Sequence, residues 1–210
     1  WSQGGGAAAA VAELDDDDYR DLRLVGTVPM SLGVGKIALQ NPVGVTAALN
    51  DPSVPPDSHL FMVLAAIQAA NPSTLTLSDV FTPLGEEIIE KAWNTQPVHH
   101  LNDTVARLFR LKGAVLQPNP ANFTAWQDAI IAGSAAGRKP VAPVLVCTDS
   151  FDGGTTVPMI WQTAYVDAAK ALGGTIEVRD YPHDDHFSLP QSCVADAQAW
   201  LTKQLGPAGS

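Results

Sequence analysis

The chain has 210 residues, of which 46% are hydrophobic and only 16% are charged. This composition is typical of a globular protein with a sizeable core and argues against a disordered chain. The formal net charge of −10 argues against nucleic acid or an anionic membrane surface as an electrostatic partner, and no apolar run reaches the roughly 20 residues of a transmembrane segment.

The chain begins with WSQGGGAAAAVAEL, where a serine and three glycines lead into an alanine-rich stretch. Small residues without proline predict a helix over residues 3–14. The acidic run at 15–18 predicts its end, because carboxylates at a helix C-terminus oppose the helix dipole. The β-branched run LRLVGTVPM at 22–30 then predicts a strand that is buried on both faces.

The pattern of residue types changes over residues 31–139. Glycine and proline interrupt its first part, and helical patterns follow at 59–70, 84–94, 103–111 and 122–133. No strand pattern separates these helices. We interpret the segment as a mostly helical insertion.

Predicted strands and helices alternate in residues 140–210. VAPVLVCTD predicts a buried strand, VPMIWQTAYVDAAKALGG a helix, TIEVRDYP a second strand, and residues 189–205 a final helix. This order predicts parallel strands that are joined by crossover helices, and therefore an α/β protein.

Candidate reactive side chains follow the predicted strands or precede the first helix. Ser2 directly precedes the first helix, Asp149 and Asp152 follow one strand, and His183 and His186 follow the next. Reactive groups of parallel α/β sheets collect beyond the carboxyl ends of the strands. The order serine, aspartate, histidine is the triad order of α/β-hydrolases.

These residue types suit acyl transfer. A serine hydroxyl becomes a nucleophile when an imidazole accepts its proton, and a carboxylate holds that imidazole in the required tautomer. The turn around such a serine needs small neighbours, which Gly4 and Gly5 provide. The backbone N–H of Gln3, at the helix N-terminus, is a candidate oxyanion-hole donor.

The motifs WSQGG, LRLVG, PVLVCTDSFDGGTTVP and YPHDDHFSLP occur in this order along almost the whole chain. In this order they resemble the secretory lipase family, α/β-hydrolases typified by fungal lipase A and related actinobacterial enzymes. The resemblance implies the C-terminal part of an α/β-hydrolase fold, with parallel strands, flanking helices and a mostly helical cap. Residues 1–30 would form the nucleophile elbow helix and the following strand, 31–139 the cap, and 140–210 the βαβα part of the hydrolase core.

The resemblance also implies roles for single residues. Ser2 would be the nucleophile and His186, which precedes phenylalanine as in the family's DHF pattern, the general base. Asp152 would be the acid, although the family's Val-Pro pair follows it at a slightly greater distance than usual. Asp149 remains the alternative acid, and His183 the alternative base.

The expected function is hydrolysis of carboxylic esters by a secreted triacylglycerol lipase or esterase in lipid catabolism, without metal or organic cofactor. His99 and His100 are interpreted as a surface pair, because no acidic residue or cysteine stands beside them at ligand spacing. A peptidase or another acyl hydrolase on the same fold is an alternative.

A non-catalytic fragment is a further alternative, because the family pattern places a glycine and a strand before the nucleophile. We therefore expect the 210 residues alone to hydrolyse esters poorly. Cys147 and Cys193 are either two buried thiols or a disulfide that joins the segments around Asp152 and His186.

Overall fold

The computed structural model describes residues 1–40, 55–151 and 156–206. The chain divides into two compact units, of which the first combines Trp1–Asn41 with Ser134–Ser210 and the second is Pro42–Gly133. The domain boundaries inferred from the sequence lie at residues 30/31 and 139/140 and stay predictions.

Helices account for most of the described secondary structure. In chain order they are α1 (Gln3–Val11), α2 (Gly35–Gln40), α3 (Ser58–Ala70), α4 (Pro83–Ile88), α5 (Val98–Lys112), α6 (Phe123–Ala132), α7 (Met159–Ala171) and α8 (Leu189–Leu205). A π-helical turn, Ile89–Trp93, continues α4, and short 3-10 turns lie at Asp16–Tyr19 and Leu77–Asp79.

Two strands form a parallel sheet in the first unit. Strand β1 (Val144–Asp149) pairs with β2 (Ile176–Tyr181), in a register that aligns Val144 with Ile176 and Asp149 with Tyr181. Helix α7 connects the two strands. The predicted βαβα order of residues 140–210 is therefore confirmed.

The strand predicted at 22–30 is wrong as a continuous element. Thr27 and Met30 make isolated parallel bridges to β1, at Val144 and Cys147. One backbone hydrogen bond to β1 is missing at Pro29. The carbonyl of Pro29 accepts from the N–H of Cys147 at 3.0 Å, but its ring nitrogen has no proton to donate. The chain is extended here and lies beside β1 through an interrupted set of hydrogen bonds.

Strand β1 is buried along its entire length. Val144 and Val146 pack into a cluster with Ala9 of α1 and Tyr165 of α7. The residues that alternate with them, Leu145 and Cys147, pack into a second cluster with α8, which includes Leu189, Cys193 and Trp200. Because side chains alternate across a strand, the final residue Asp149 continues the face that packs on α8.

Helix α1 ends earlier than predicted because the chain turns inward at Glu13. This carboxylate is 7% exposed and accepts N–H groups from Ala136, Gly137 and Arg138 at 2.7, 2.9 and 2.9 Å. These bonds compensate the burial of its charge and hold the 136–138 turn against the end of α1.

The second unit has its own hydrophobic core, formed around Phe61, Phe81, Leu101 and Trp126. Its helices α3 and α6 match the predicted stretches at 59–70 and 122–133 within one residue at each end, and α5 begins at Val98 instead of at 103. The stretch predicted at 84–94 is α4 followed directly by the π-helical turn. Asp79 anchors Trp126 by accepting its indole N–H at 3.2 Å. Burial raises the pKa of this carboxyl, but its hydrogen bonds outweigh burial and lower the pKa overall.

Cys147 and Cys193 form a disulfide that joins β1 to α8. Of the two alternatives left by the sequence, the structure therefore has the bonded one. None of the described helices is both long enough and apolar enough to cross a membrane.

Candidate active site

Ser2 lies in a strained turn directly before α1. Its backbone has φ 57° and ψ −125°, in a region that non-glycine residues rarely adopt. Its N–H donates to the carbonyl of Met30 at 3.0 Å. This bond fixes the serine beside the extended segment that pairs with β1, at the carboxyl end of the sheet.

Close packing of α1 against the chain that follows the Pro29 segment requires glycine at two positions. A Cβ atom at Gly5 would lie 2.6 Å from the carbonyl oxygen of Met30, and one at Gly6 would lie 2.2 Å from that of Gly33. A Cβ at Gly4 would meet no atom within 4 Å of the described structure. The sequence argument for small residues therefore holds for Gly5, fails for Gly4 and missed Gly6.

His186 lies in the loop between β2 and α8 and is only 4% exposed. The carboxylate of Asp185 organises this loop, because its Oδ1 accepts the N–H groups of Phe187 and Ser188 at 2.9 and 2.8 Å. The indole N–H of Trp1 donates to the carbonyl of His186 at 2.6 Å. The backbone around His186 is thus held by hydrogen bonds on both sides of the residue.

The nucleophile candidate and the base candidate meet across 184 residues of sequence. The Oγ atom of Ser2 lies 3.0 Å from Nε2 of His186. This distance allows the hydroxyl to donate its proton to the imidazole, which is the first requirement for serine acyl transfer.

The other ring nitrogen of His186 faces a hydroxyl and a carboxylate. Its Nδ1 atom lies 2.7 Å from Oγ of Ser31 and 3.9 Å from Oδ2 of Asp149. Ser31 and Asp149 both have 0% exposure, so their interactions with the imidazole are shielded from solvent.

Asp149 is tied to α7 through Gln162. The Nε2 atom of this fully buried glutamine donates to Oδ1 of Asp149 at 2.9 Å and to the carbonyl of Val157 at 3.0 Å. The second carboxylate oxygen, Oδ2, has no hydrogen-bond partner among the described residues. This oxygen faces the imidazole, because it is the one that lies 3.9 Å from Nδ1 of His186.

The remaining sequence-predicted residues have different positions. Asp152 lies outside the described residues. Gln3 is the first residue of α1, where backbone N–H groups have no partner within the helix. His183, the alternative base, is exposed, and so are His99 and His100 in the second unit. No group of three metal-ligating side chains occurs in the described ranges.

Sequence reasoning missed Ser31 and Gln162. A signal existed for Ser31, because it is a small polar residue directly after the segment that pairs with β1, where strand ends collect functional groups. Gln162 gave no such signal, because a glutamine in the first turns of a helix normally faces solvent.

The comparisons with known proteins identify related folds. No protein-family profile and no curated protein matches the sequence. The ligand-bound form of the rice cell wall degrading esterase LipA from Xanthomonas oryzae superposes on 97% of the chain with a TM-score of 0.67 and 21% identity. A proposed hydrolase from Legionella pneumophila superposes on 100% with a TM-score of 0.65 and 14% identity.

The chain spans 57% of the esterase and 56% of the Legionella protein. At these identities the likeness concerns the fold alone. The chain, helix-rich with a small parallel sheet, has a hydrolase-like fold that it shares with an esterase.

Proposed function

We propose that the protein is a serine hydrolase of carboxylic esters in which Ser2 is the nucleophile and His186 the general base. The observation that carries the proposal is the 3.0 Å approach of Ser2 Oγ to His186 Nε2, made by a serine in a strained turn at a helix N-terminus. The shared fold with an esterase supports the same reaction class.

The reaction follows from this geometry. Ser2 Oγ attacks the ester carbonyl while its proton moves to His186 Nε2. The backbone N–H of Gln3 stabilises the developing oxyanion, and the imidazolium then protonates the leaving alcohol. Water, deprotonated by the same imidazole, releases the acid from the acyl-enzyme and restores the hydroxyl of Ser2.

A carboxylate completes the site by favouring the proton on Nδ1 of His186. We retain Asp152 as the proposed acid, with Asp149 as its alternative. The observations that support the alternative are the 3.9 Å distance of Asp149 from Nδ1 and its complete burial. Asp152→Asn and Asp149→Asn decide between them. Asparagine at the position of the true acid lowers kcat by about 10⁴-fold, whereas asparagine at the other position has a much smaller effect.

The proposed substrates are acylglycerols or related esters. Trp1 and Phe187 provide apolar surface beside the imidazole, with ring centroids 4.9 and 5.4 Å from that of His186. Both side chains are also substantially exposed, at 45% and 57%, so they are accessible to an acyl chain. Secretion is proposed from the disulfide, because such bonds persist in oxidising compartments.

The first test uses the protein expressed from its complete coding sequence. We expect it to hydrolyse p-nitrophenyl butyrate and tributyrin, and an alkyl phosphonate to label it at one residue that peptide mass analysis identifies as Ser2. Ser2→Ala removes both turnover and labelling. Full turnover by folded Ser2→Ala, or labelling at another serine, contradicts the proposal.

The same assay applied to the 210 residues alone tests the expectation from the sequence that they hydrolyse esters poorly. Turnover at an ordinary enzymatic rate by this chain, lost in Ser2→Ala, would show that expectation to be wrong.

A further inference from the structure

Ser31 presents a hydroxyl to the side of His186 that faces away from the nucleophile. Its Oγ lies 2.7 Å from Nδ1 of the imidazole, and the residue is completely buried. We propose that Ser31 is a positioning residue that fixes the ring plane of His186 through Nδ1. This inference rests on the proposed hydrolase function and adds a residue to it.

The backbone of Ser31 supports a role for the hydroxyl. Its φ of 41° lies in the left-handed region, which glycine adopts at lower cost than serine does. The N–H of Ser31 donates to the carbonyl of Cys147 at 2.9 Å, which fixes the residue to the end of β1. The fold therefore holds a serine in a conformation that favours glycine, and the side chain contributes the hydrogen bond to His186.

The hydroxyl and the nearby carboxylate act differently on the imidazole. Transfer of the proton from Ser2 requires a lone pair on Nε2 and therefore a proton on Nδ1. A hydroxyl can accept from Nδ1–H or donate to a bare Nδ1, so Ser31 fixes the ring orientation without selecting the tautomer. A carboxylate charge near Nδ1, such as that of Asp149 at 3.9 Å, instead favours the protonated nitrogen.

Two substitutions at this position separate positioning from stability. Ser31→Gly removes the hydroxyl and relieves the left-handed backbone. Ser31→Thr keeps the hydroxyl but places a β-branched residue in that conformation. Ser134→Ala is the matched control, because it removes another serine hydroxyl of the first unit, one that accepts from the N–H of Lys36.

In the full-length protein we expect Ser31→Gly to lower kcat about tenfold, the loss of one buried hydrogen bond, with KM and melting temperature almost unchanged. Ser31→Thr melts at a lower temperature and retains more activity than Ser31→Gly. Ser134→Ala keeps the kcat of the wild type. Wild-type kcat in Ser31→Gly, or losses of kcat that follow melting temperature across the series, overturns the inference.

A spectroscopic measurement provides a second criterion if Ser31→Thr does not fold. We expect nitrogen-15 spectra of the His186 ring to show a proton held on Nδ1 in the wild type, and the exchange of this proton with solvent to accelerate in Ser31→Gly. Unchanged exchange contradicts the role of Ser31. The proposed function fails separately, through an active Ser2→Ala, whereas an inactive Ser2→Ala with a wild-type Ser31→Gly rejects only the present inference.

Discussion

At the scale of single residues, Tyr165 shows how a side chain can fit a core sterically and still weaken it. It is fully buried beside β1, and its hydroxyl has no hydrogen-bond partner among the described residues. Burial is the main cause that raises its pKa, with a smaller contribution from the charge of Glu13. An unpaired polar group in an apolar environment costs free energy.

Tyr165→Phe should therefore stabilise the protein at neutral pH by about 1 kcal/mol, measured by urea unfolding. Tyr181→Phe is the control of opposite sign, because that hydroxyl donates to Asp196 at 2.7 Å and its removal should lower stability. Equal effects of the two substitutions would show that the Tyr165 hydroxyl is not an unsatisfied group.

The same two hydroxyls predict a pH dependence. Burial raises the pKa of Tyr181 to about 12, and the pKa of Tyr165 is also raised, from an unfolded value of about 10. Because the folded values are higher, both tyrosines lose their protons more readily in the unfolded protein. The free energy of unfolding is therefore unaffected below pH ~10 and falls as pH rises toward the folded values. Urea unfolding between pH 9 and 12 should show falling stability, with a shallower slope in Tyr165→Phe.

At the scale of elements, the docking of α1 determines where the nucleophile lies. Gly6 allows the helix to approach the carbonyl of Gly33, where a methyl group would lie at 2.2 Å. We expect Gly6→Ala to lower both stability and kcat, because α1 must move and Ser2 moves with it. Gly4→Ala has open space and should stabilise α1 by up to about 1 kcal/mol without loss of activity.

Thermal unfolding and steady-state kinetics of the two alanine variants test this expectation. Because both substitutions have the same effect on helix propensity, the difference between them reports the contact of α1 with the chain beneath it. Equal stability of Gly6→Ala and Gly4→Ala would exclude a docking role for Gly6.

A helix or strand could be predicted from the sequence when the residues that determine it lie close together in the chain. Helices α3, α5 and α8 were indicated by helical patterns in the sequence, because such patterns act within a few residues. The interruption at Pro29 depends on which residue of β1 would accept a hydrogen bond from the backbone nitrogen at that position. That register is set by pairing with residues more than 100 positions away, so the sequence indicated the strand and not its gap.

At the scale of the whole molecule, the disulfide connects the strand that carries Asp149 to the helix that follows His186. The cysteines are separated by 46 residues, and closing a loop of this length removes roughly 4 kcal/mol of chain entropy from the unfolded state. We expect reductant to lower the melting temperature of the wild type. The double variant Cys147→Ala, Cys193→Ala should melt lower than the oxidised wild type and be insensitive to reductant.

Free-thiol titration of the unfolded protein without reductant is the companion measurement. Two reactive thiols per molecule would contradict the disulfide, and a reductant-sensitive melting temperature in the double variant would assign the effect to another cause.

The sequence by itself determined most of the helices, the strands β1 and β2, the candidates Ser2 and His186 and the chemistry that they could perform, because these depend on residue type and on order along the chain. Only the tertiary structure decided that Ser31 contacts Nδ1 and that Gly6 contacts the chain beneath α1. It also decided that the buried Oδ2 of Asp149 faces the imidazole. The physical reason is that each is a contact of a few ångströms between residues far apart in the chain, whose existence depends on backbone register and left-handed turns that no local pattern encodes.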